Sequence, residues 1–292
     1  MLCHKLFFNF MENKKKIMEL VKEAVSYIQK IYSEKPLVGI VLGSGLGSLI
    51  NSVEIKYTIP YSEITNFPVS TVEGHSGNLI LGTICGVEVV VMQGRFHYYE
   101  GYSMQKVTFP IKVMKLLGVE YLFVSNATGG LNPEYRTGDL MIINDHINLF
   151  PEHPLRGKNN DELGERFPDM SETYNKKLIA EANFIAKNLS IPIHNGIYIG
   201  SSGPSLETPA EYRMFRLLGA DVTGMSTVPE IIVAHHAGLK CFGISVVTNE
   251  SKDAEMGNIT TYEDVQENAT LAEPRMTKIF LGLIKGLKKT PY

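Results

Sequence analysis

The sequence predicts one α/β domain in which helices cover both faces of a central mixed, largely parallel β-sheet. Two near-continuous apolar runs, at residues 37–42 and 121–125, are typical of strands that are buried on both faces. Such runs alternate along the chain with segments of helical spacing, and this alternation is typical of a parallel sheet. The 292 residues contain no repeat and no linker-like composition, so we expect a single domain over residues 11–292.

The first half of the chain begins with an amphipathic helix. Apolar residues between Ile17 and Ile31 recur at helical spacing, and the pattern ends before Pro36. Residues 1–10 have a short apolar patch and no small-residue cleavage site, so we expect a disordered extension and not a secretory signal. Beyond the strand at 37–42, the pattern predicts a hairpin of 79–84 and 87–92, a helix over 103–117 that Pro110 kinks or restarts, and the strand at 121–125.

The second half continues the alternation of strands and helices. Its clearest boundary is at Thr208, where an N-cap threonine, Pro209 and the capping-box residue Glu211 predict a helix start. Residues 152–169 are polar and rich in Gly, Pro and Asn, which predicts a long loop. The other predicted elements are strands at 140–144, 196–200, 221–225 and 240–248 and helices at 172–189, 228–237 and 264–287, the last interrupted by Pro274.

The composition excludes several classes of partner. A net charge of −3 and a pI near 6.3 provide no basic surface for nucleic acid. No apolar run approaches the length of a membrane-spanning helix. The cysteines Cys3, Cys85 and Cys241 are odd in number and widely spaced, which is typical of reduced thiols in a cytosolic protein.

Small residues follow two of the predicted strands. In α/β sheets ligands bind at the carboxyl ends of the strands. Residues 126–130 (NATGG) and 43–47 (GSGLG) place small residues there, which lets a ligand contact the backbone closely. The glycine-rich segment at 43–47 fits either anion binding by backbone N–H groups or an ordinary tight turn. It lacks the GK[ST] and GxGxxG patterns, so a P-loop and a dinucleotide site are disfavoured.

Residues 93–102 (QGRFHYYEGY) combine an arginine and a histidine with three tyrosines. The guanidinium fork of Arg95 suits phosphate, and His97 donates a hydrogen bond when it is protonated. The segment therefore indicates an anion site. The alternative is a solvated loop that carries a surface aromatic cluster.

Three further polar residues lie at predicted element ends. Glu207 precedes a helix whose N-cap is Thr208, so its carboxylate either accepts from a ligand N–H or caps the helix. Ser226 lies at a helix start and suits either an anion or a capping role. Asn249 follows a buried strand; it is either a donor and acceptor for a ligand or a turn residue.

Motifs for metals and covalent nucleophiles are weak. His235 and His236 are adjacent and point in different directions on a helix, and no HExxH motif occurs. His75 is a lone loop histidine. No GxSxG elbow or Cys–His arrangement is present. We therefore expect neither a metal nor an enzyme nucleophile.

Together these motifs resemble the trimeric purine nucleoside phosphorylases. The resemblance extends from about Pro36 to Ala269 and is best at GSGLG, GHSG, GRFHYYEGY, NATGGLNP, DHINL, GPSLETPAE, GMSTVPE and the strand ending at Asn249. It implies the nucleoside phosphorylase fold and a pentosyltransferase of purine salvage. Such an enzyme reversibly converts a 6-oxopurine (deoxy)ribonucleoside and inorganic phosphate to free base and pentose 1-phosphate. The resemblance also implies a cytoplasmic homotrimer without a cofactor.

The resemblance implies a role for each site residue. Phosphate would be bound by Ser44, Arg95, His97, Ser226 and the backbone of Ala127, with His75 near the entrance to the phosphate site. The nucleoside would contact Tyr99, Ala127, Thr128, Gly129, Leu206, Glu207, Met225, Asn249 and Tyr262, with Phe167 contributed by a neighbouring subunit. The catalytic residues would be His97, Glu207 and Asn249.

By the same resemblance, Glu207 and Asn249 would set base specificity. Glu207 would accept the N1–H of a 6-oxopurine, and Asn249 would donate to N7, where charge gathers on the leaving base. Methylthioadenosine phosphorylases have an aspartate at the position matching Asn249, which favours a 6-amino group. We therefore expect Asn249 to favour hypoxanthine and guanine, and Asn249→Asp to shift the preference toward adenine nucleosides.

Two residues depart from the family pattern. Leu206 stands where a phenylalanine is usual, and Tyr262 aligns with a histidine that binds the 5′-hydroxyl. These departures leave open a methylthioadenosine or methylthioinosine phosphorylase. A non-catalytic nucleoside-binding protein on the same scaffold is the third alternative.

Overall fold

The computed structural model describes residues 2–69, 71, 76–252 and 256–288, with side chains described from Ile17 onward. Strands form the centre of the molecule. They are β1 (Val38–Val41), β2 (Glu54–Pro60), β3 (Asn78–Ile84), β4 (Val87–Gln93), β5 (Tyr121–Gly130), β6 (Leu140–Asn148), β7 (His194–Gly200), β8 (Val222–Gly224) and β9 (Lys240–Glu250).

Helices cover both faces of this sheet. They are α1 (Leu2–Ile31), α2 (Met104–Val107), α3 (Phe109–Leu117), α4 (Lys176–Asn188), α5 (Pro209–Leu217), α6 (Val228–His236) and α7 (Tyr262–Leu287). Apolar side chains of α1, α3 and α6 pack in one core, and those of α4 and α7 pack in another. The predicted α/β domain with helices on both faces is confirmed. No described helix has the length and apolar character that crossing a bilayer requires.

The sheet is mixed and closes on itself. Its order is β2-β3-β4-β1-β5-β8-β7-β6-β9, and β5 also pairs with β9. In the described part of the chain, five of the nine strand pairings are parallel. The strands from β5 to β9 therefore form a closed unit within the predicted mixed sheet.

The central strand β5 is longer than the sequence pattern predicted. The apolar run at 121–125 was expected to break at Asn126, but the strand continues to Gly130. Residues 126–130 pair with β9 along their length, and Gly129 and Gly130 also pair with β8. Hydrogen bonding to two neighbours therefore outweighs the weak strand propensity of Asn and Gly.

The other helix and strand boundaries agree with the sequence patterns in some places and differ in others. Thr208 and Glu211 form the predicted capping box of α5, and Pro110 restarts the helix at α3. Pro274 does not interrupt the last helix, because α7 continues through it. Strand β2 was not predicted: most of its residues are exposed, so it lacks an apolar run. The domain boundary at residue 11 stays a prediction. Helix α1 begins at Leu2, so its backbone includes residues 2–10, where a disordered extension was expected.

Candidate active site

A cavity of about 360 Å³ lies at the ends of several strands. It is lined by residues that follow β1, β4, β7 and β8, by β5 and β9 themselves, and by the first turn of α7. The structure brings together the sequence-predicted residues Ser44, Arg95, His97, Tyr99, Ala127, Thr128, Gly129, Leu206, Glu207, Met225, Ser226, Asn249 and Tyr262 on its walls.

One end of the cavity contains the buried ion pair of Arg95 and Glu230. Nε and Nη2 of Arg95 donate to the two carboxylate oxygens of Glu230 over 3.0 and 2.9 Å. Nη1 donates to the carbonyl oxygen of Ser125 over 2.6 Å. The side chains of Arg95 and Glu230 are only 1% and 4% exposed. Because three contacts hold the guanidinium, its orientation at the cavity is fixed before any ligand binds.

His97 is held by a carboxylate that sequence analysis missed. Oε1 of Glu100 accepts from the backbone N–H of His97 over 2.6 Å and lies 3.2 Å from its Nδ1. Oε2 of Glu100 accepts from the backbone N–H and hydroxyl of Thr71. Burial lowers the pKa of His97, which favours the neutral imidazole. Burial alone would raise the pKa of Glu100, but hydrogen bonds from His97 and Thr71 outweigh it and lower that pKa to about 2. The ring of Tyr99 stacks on His97 at a centroid distance of 4.7 Å.

Ser226 directly precedes Thr227, whose backbone conformation is rare for a residue with a branched Cβ. Thr227, the N-cap of α6, has φ +68°. Such conformations persist where the surroundings over-determine them. Here Asn126 Nδ2 donates to the Thr227 hydroxyl over 2.8 Å, and the Thr227 N–H donates to Glu230. The Ser226 hydroxyl lies 3.0 Å from that of Thr227. Glu230 thus connects the helix start beside Ser226 to Arg95.

The opposite end of the cavity contains Glu207. Its Oε1 accepts from the hydroxyl of Thr223 over 2.7 Å and from that of Ser201 over 3.3 Å. The carboxylate does not cap α5, because Thr208 and Glu211 form that cap themselves. Glu207 is therefore positioned for a ligand, as the presence of a separate N-cap predicted.

Asn249 faces the same end because of a bulge in β9. Thr128 pairs with Val247 and Gly129 with Asn249, so Thr248 has no partner across the ladder. Bulges re-aim side chains and are frequent next to active sites. A Cβ on Gly129 would lie 3.4 Å from Nδ2 of Asn249, at ordinary contact distance, so Gly129 lies directly beside this amide. The one proton of the Thr248 hydroxyl is shared between the Thr128 carbonyl oxygen, 3.2 Å away, and Asn249 Oδ1, 3.3 Å away. Oδ1 is thus the amide atom on the side of Thr248, and Nδ2 is the donor toward a ligand.

Tyr212 lies between these two polar side chains. It is only 2% exposed and belongs to α5, four residues after the N-cap. Its hydroxyl is hydrogen-bonded to Glu207 and Asn249, and burial raises its pKa to about 12. At neutral pH the phenol is therefore protonated and remains a donor.

The two residues that depart from the family pattern are the more open part of the wall. Leu206 is 46% exposed and Tyr262 is 41% exposed. Tyr262 is the first residue of α7, directly after the N-cap Thr261. Their exposure makes these two side chains the part of the wall that solvent reaches.

Two predicted residues are not in this cavity. Phe167 is 83% exposed and lines a different cavity, of about 630 Å³, together with His146 and Arg166. Phe167 therefore does not line the candidate site of its own chain. His75 lies outside the described residues, so its role near the phosphate entrance stays a prediction.

Sequence reasoning missed four residues that shape the site. Glu100 and Glu230 each had a local signal, because each lies three positions after the first residue of a capping box, His97 or Thr227. Tyr212 and Thr223 had none, since a buried tyrosine on a helix and a threonine in a strand are ordinary core residues.

Comparisons with known proteins agree on the class of this chain. The family model described as the phosphorylase superfamily matches residues 37–285. Purine nucleoside phosphorylase 1 of Bacillus subtilis (strain 168) is 56% identical over 267 residues, which cover 91% of this chain and 97% of the relative.

Solved structures of the same class superpose closely on the fold. Purine nucleoside phosphorylase isoform 2 of Schistosoma mansoni, in complex with cytosine and ribose-1-phosphate, has a TM-score of 0.88 and 42% identity, covering 94% of this chain and 97% of that one. The Schistosoma mansoni enzyme in complex with inosine has a TM-score of 0.87 and 44% identity, with the same two coverages.

Proposed function

The chain belongs to the phosphorylase superfamily, among its purine nucleoside phosphorylases, and we propose that it phosphorolyses 6-oxopurine ribonucleosides and deoxyribonucleosides. The reaction converts inosine or guanosine and inorganic phosphate reversibly to free base and pentose 1-phosphate. One observation carries the proposal: a single cavity has Arg95, His97 and Ser226 at one end and Glu207 and Asn249 at the other.

Phosphate binds at the Arg95 end. Ser44 and Ser226 supply side-chain donors there, Ala127 supplies its backbone, and the imidazole of His97 donates when it is protonated. Because Glu230 balances the charge of Arg95, the site attracts phosphate through oriented N–H and O–H donors more than through net positive charge. Arg95 is held in place before phosphate arrives, so its side chain loses little conformational entropy when phosphate binds.

The base binds at the Glu207 end, with the pentose between, against Tyr99 and Met225. Glu207 accepts the N1–H of a 6-oxopurine. Asn249 Nδ2 donates to N7, since Thr248 holds the amide oxygen. Thr128, Gly129 and Leu206 contact the base plane, and Tyr262 lies near the 5′ position.

The chemistry follows from these positions. A phosphate oxygen forms a bond to C1′ while the C1′–N9 bond breaks, and the bonding electrons leave with the base. Positive charge develops on the pentose and negative charge on the purine, where Asn249 stabilises it. His97 orients phosphate, and no residue forms a covalent intermediate. Inorganic phosphate is the co-substrate, and we propose that the enzyme needs no cofactor.

Base-release measurements test this function. We expect phosphate-dependent release of hypoxanthine and guanine from inosine and guanosine, and little release from adenosine or methylthioadenosine. The controls omit phosphate. Preferential cleavage of methylthioadenosine would assign the chain to the alternative that Leu206 and Tyr262 leave open, and cleavage of none would indicate a binding protein.

We also propose that the enzyme is a homotrimer in which Phe167 completes a neighbour's site. The exposed ring supports this, because an 83% exposed phenylalanine lies on a surface where a partner would bury it. Phe167→Ala is expected to raise KM for inosine about tenfold, in line with truncation of an aromatic anchor at an interface.

Mixed oligomers make the test of shared sites specific. Phe167→Ala and Asn249→Ala, each impaired alone, are to be co-expressed. About a quarter of the sites would then combine an intact Asn249 with a neighbour's intact Phe167, so activity at inosine concentrations well below KM should exceed that of either parent. Activity equal to the average of the parents would contradict a shared site. Sedimentation analysis measures the subunit number.

A cytoplasmic location completes the proposal. Cys85 and Cys241 are both free thiols, which suits a reducing compartment. Fractionation of the source cells, with detection of the protein in the cytosolic fraction, tests the location.

A further inference from the structure

The carboxylate of Glu207 is surrounded by hydroxyl groups of the protein. Thr223 and Ser201 both donate to Oε1, over 2.7 and 3.3 Å. The hydroxyl of Tyr212 is a third partner of this carboxylate. We refer to Ser201, Tyr212 and Thr223 as the hydroxyl cradle.

We propose that the hydroxyl cradle makes Thr223 a specificity-determining residue that favours hypoxanthine nucleosides over guanine nucleosides. This inference rests on the proposed function, because it concerns which 6-oxopurine Glu207 accepts. Thr223 acts through Glu207 and is a positioning residue.

The argument counts acceptor positions. An ionised carboxylate has about four lone-pair positions for hydrogen bonds. Three cradle hydroxyls occupy most of them, and two of the three donate to the same oxygen, Oε1. The positions that remain belong to Oε2, the oxygen that neither Thr223 nor Ser201 contacts.

The two 6-oxopurines differ in what they demand of that carboxylate. Hypoxanthine presents one donor on this edge, its N1–H. Guanine presents two, N1–H and an exocyclic amino group, and needs both carboxylate oxygens to pair them. Guanine must therefore displace a cradle hydroxyl or leave one donor unpaired, and an unpaired buried donor is costly.

The geometry of the cradle resists such displacement. Thr223 is 1% exposed on β8 and Tyr212 is 2% exposed on α5, so neither hydroxyl turns to solvent when it loses Glu207. Loss of the contact would leave each hydroxyl buried without its acceptor. Binding of guanine is thus disfavoured because either a buried hydroxyl of the protein or a donor of the base loses its hydrogen bond.

The test compares Thr223→Val with the matched control Thr223→Ser. Valine keeps the branched shape and removes the hydroxyl, whereas serine keeps the hydroxyl. The wild-type protein should show a higher kcat/KM for inosine than for guanosine. Thr223→Val should raise the guanosine-to-inosine ratio of kcat/KM by about 3- to 10-fold, as expected for the removal of one hydrogen bond. Thr223→Ser should restore the wild-type ratio.

A binding measurement separates this inference from the proposed function. Calorimetric dissociation constants of hypoxanthine and guanine should change in the same ratio without any turnover. A ratio that is unchanged in Thr223→Val, or equally changed in Thr223→Ser, overturns the inference while phosphorolysis stands. Absence of binding and cleavage with both bases overturns the proposed function and the inference together. If Thr223→Val does not fold, Tyr212→Phe should shift the ratio in the same direction.

Discussion

Replacing Asn249 by alanine is expected to lower kcat for inosine by about 10²–10³-fold, the usual cost of losing a preorganised donor to developing negative charge. The bulge at Thr248 and the hydroxyl of Thr248 hold the amide before substrate binds. Alanine removes the donor that meets N7 while the base departs. Single-turnover rates with saturating phosphate measure the chemical step directly.

A matched variant at the same position separates charge stabilisation from base selection. Asn249→Asp keeps the size of the side chain but replaces the donor by an acceptor. We expect it to shift kcat/KM from inosine toward adenosine. Unchanged selectivity in Asn249→Asp, or an Asn249→Ala rate close to that of the wild type, would remove Asn249 from its proposed role. The KM for phosphate serves as a control, since Asn249 lies at the base end.

Replacing Glu230 by leucine is expected to lower the free energy of unfolding by about 3–5 kcal/mol. The change leaves the guanidinium of Arg95 buried without its counter-charge, and it removes the acceptor of the Thr227 N–H at the start of α6. Because Arg95 and Ser226 both depend on Glu230, we also expect a higher KM for phosphate. Urea unfolding and phosphate titration measure the two effects.

A double variant distinguishes the buried charge from general damage to the core. Arg95→Met combined with Glu230→Leu removes both charges and keeps the volume apolar. It should recover much of the lost stability, because well-packed apolar residues often replace a buried ion pair without cost. It should not recover activity, since the phosphate donor is gone. A double variant as unstable as Glu230→Leu would show that the ion pair is not the source of the loss.

The parts of the fold that the sequence predicted have local causes. The capping box of Thr208 and Glu211 and the restart at Pro110 depend on residues within one helical turn of each other. The apolar strands were found because burial on both faces demands an unbroken apolar run. Arg95, Ser226 and Asn249 were singled out because polar residues follow such runs, whereas most of the remaining site residues and the specific roles were implied by the family resemblance.

The parts that the sequence did not predict depend on distant partners. Arg95 and Glu230 are 135 positions apart in the chain, so neither indicated the other. The bulge in β9 has no signal in the apolar residues around it, yet it decides where Asn249 points. Residues 126–130 form a strand because β8 and β9 pair with them, a tertiary effect that outweighs local propensity.

The pairing of β5 with β9 also bears on solubility. A sheet with two free edges exposes two rows of unpaired backbone groups to other chains. Here β9 is paired on both sides, so among the described strands β2 is left as the open edge. That edge contains the charged residues Glu54 and Lys56 and an irregular register between Ile55 and Tyr57. Charge and irregularity both oppose the addition of a strand from another chain. Because β5 to β9 form a closed unit, edge-to-edge aggregation of the described sheet would have to begin at β2, which already resists it.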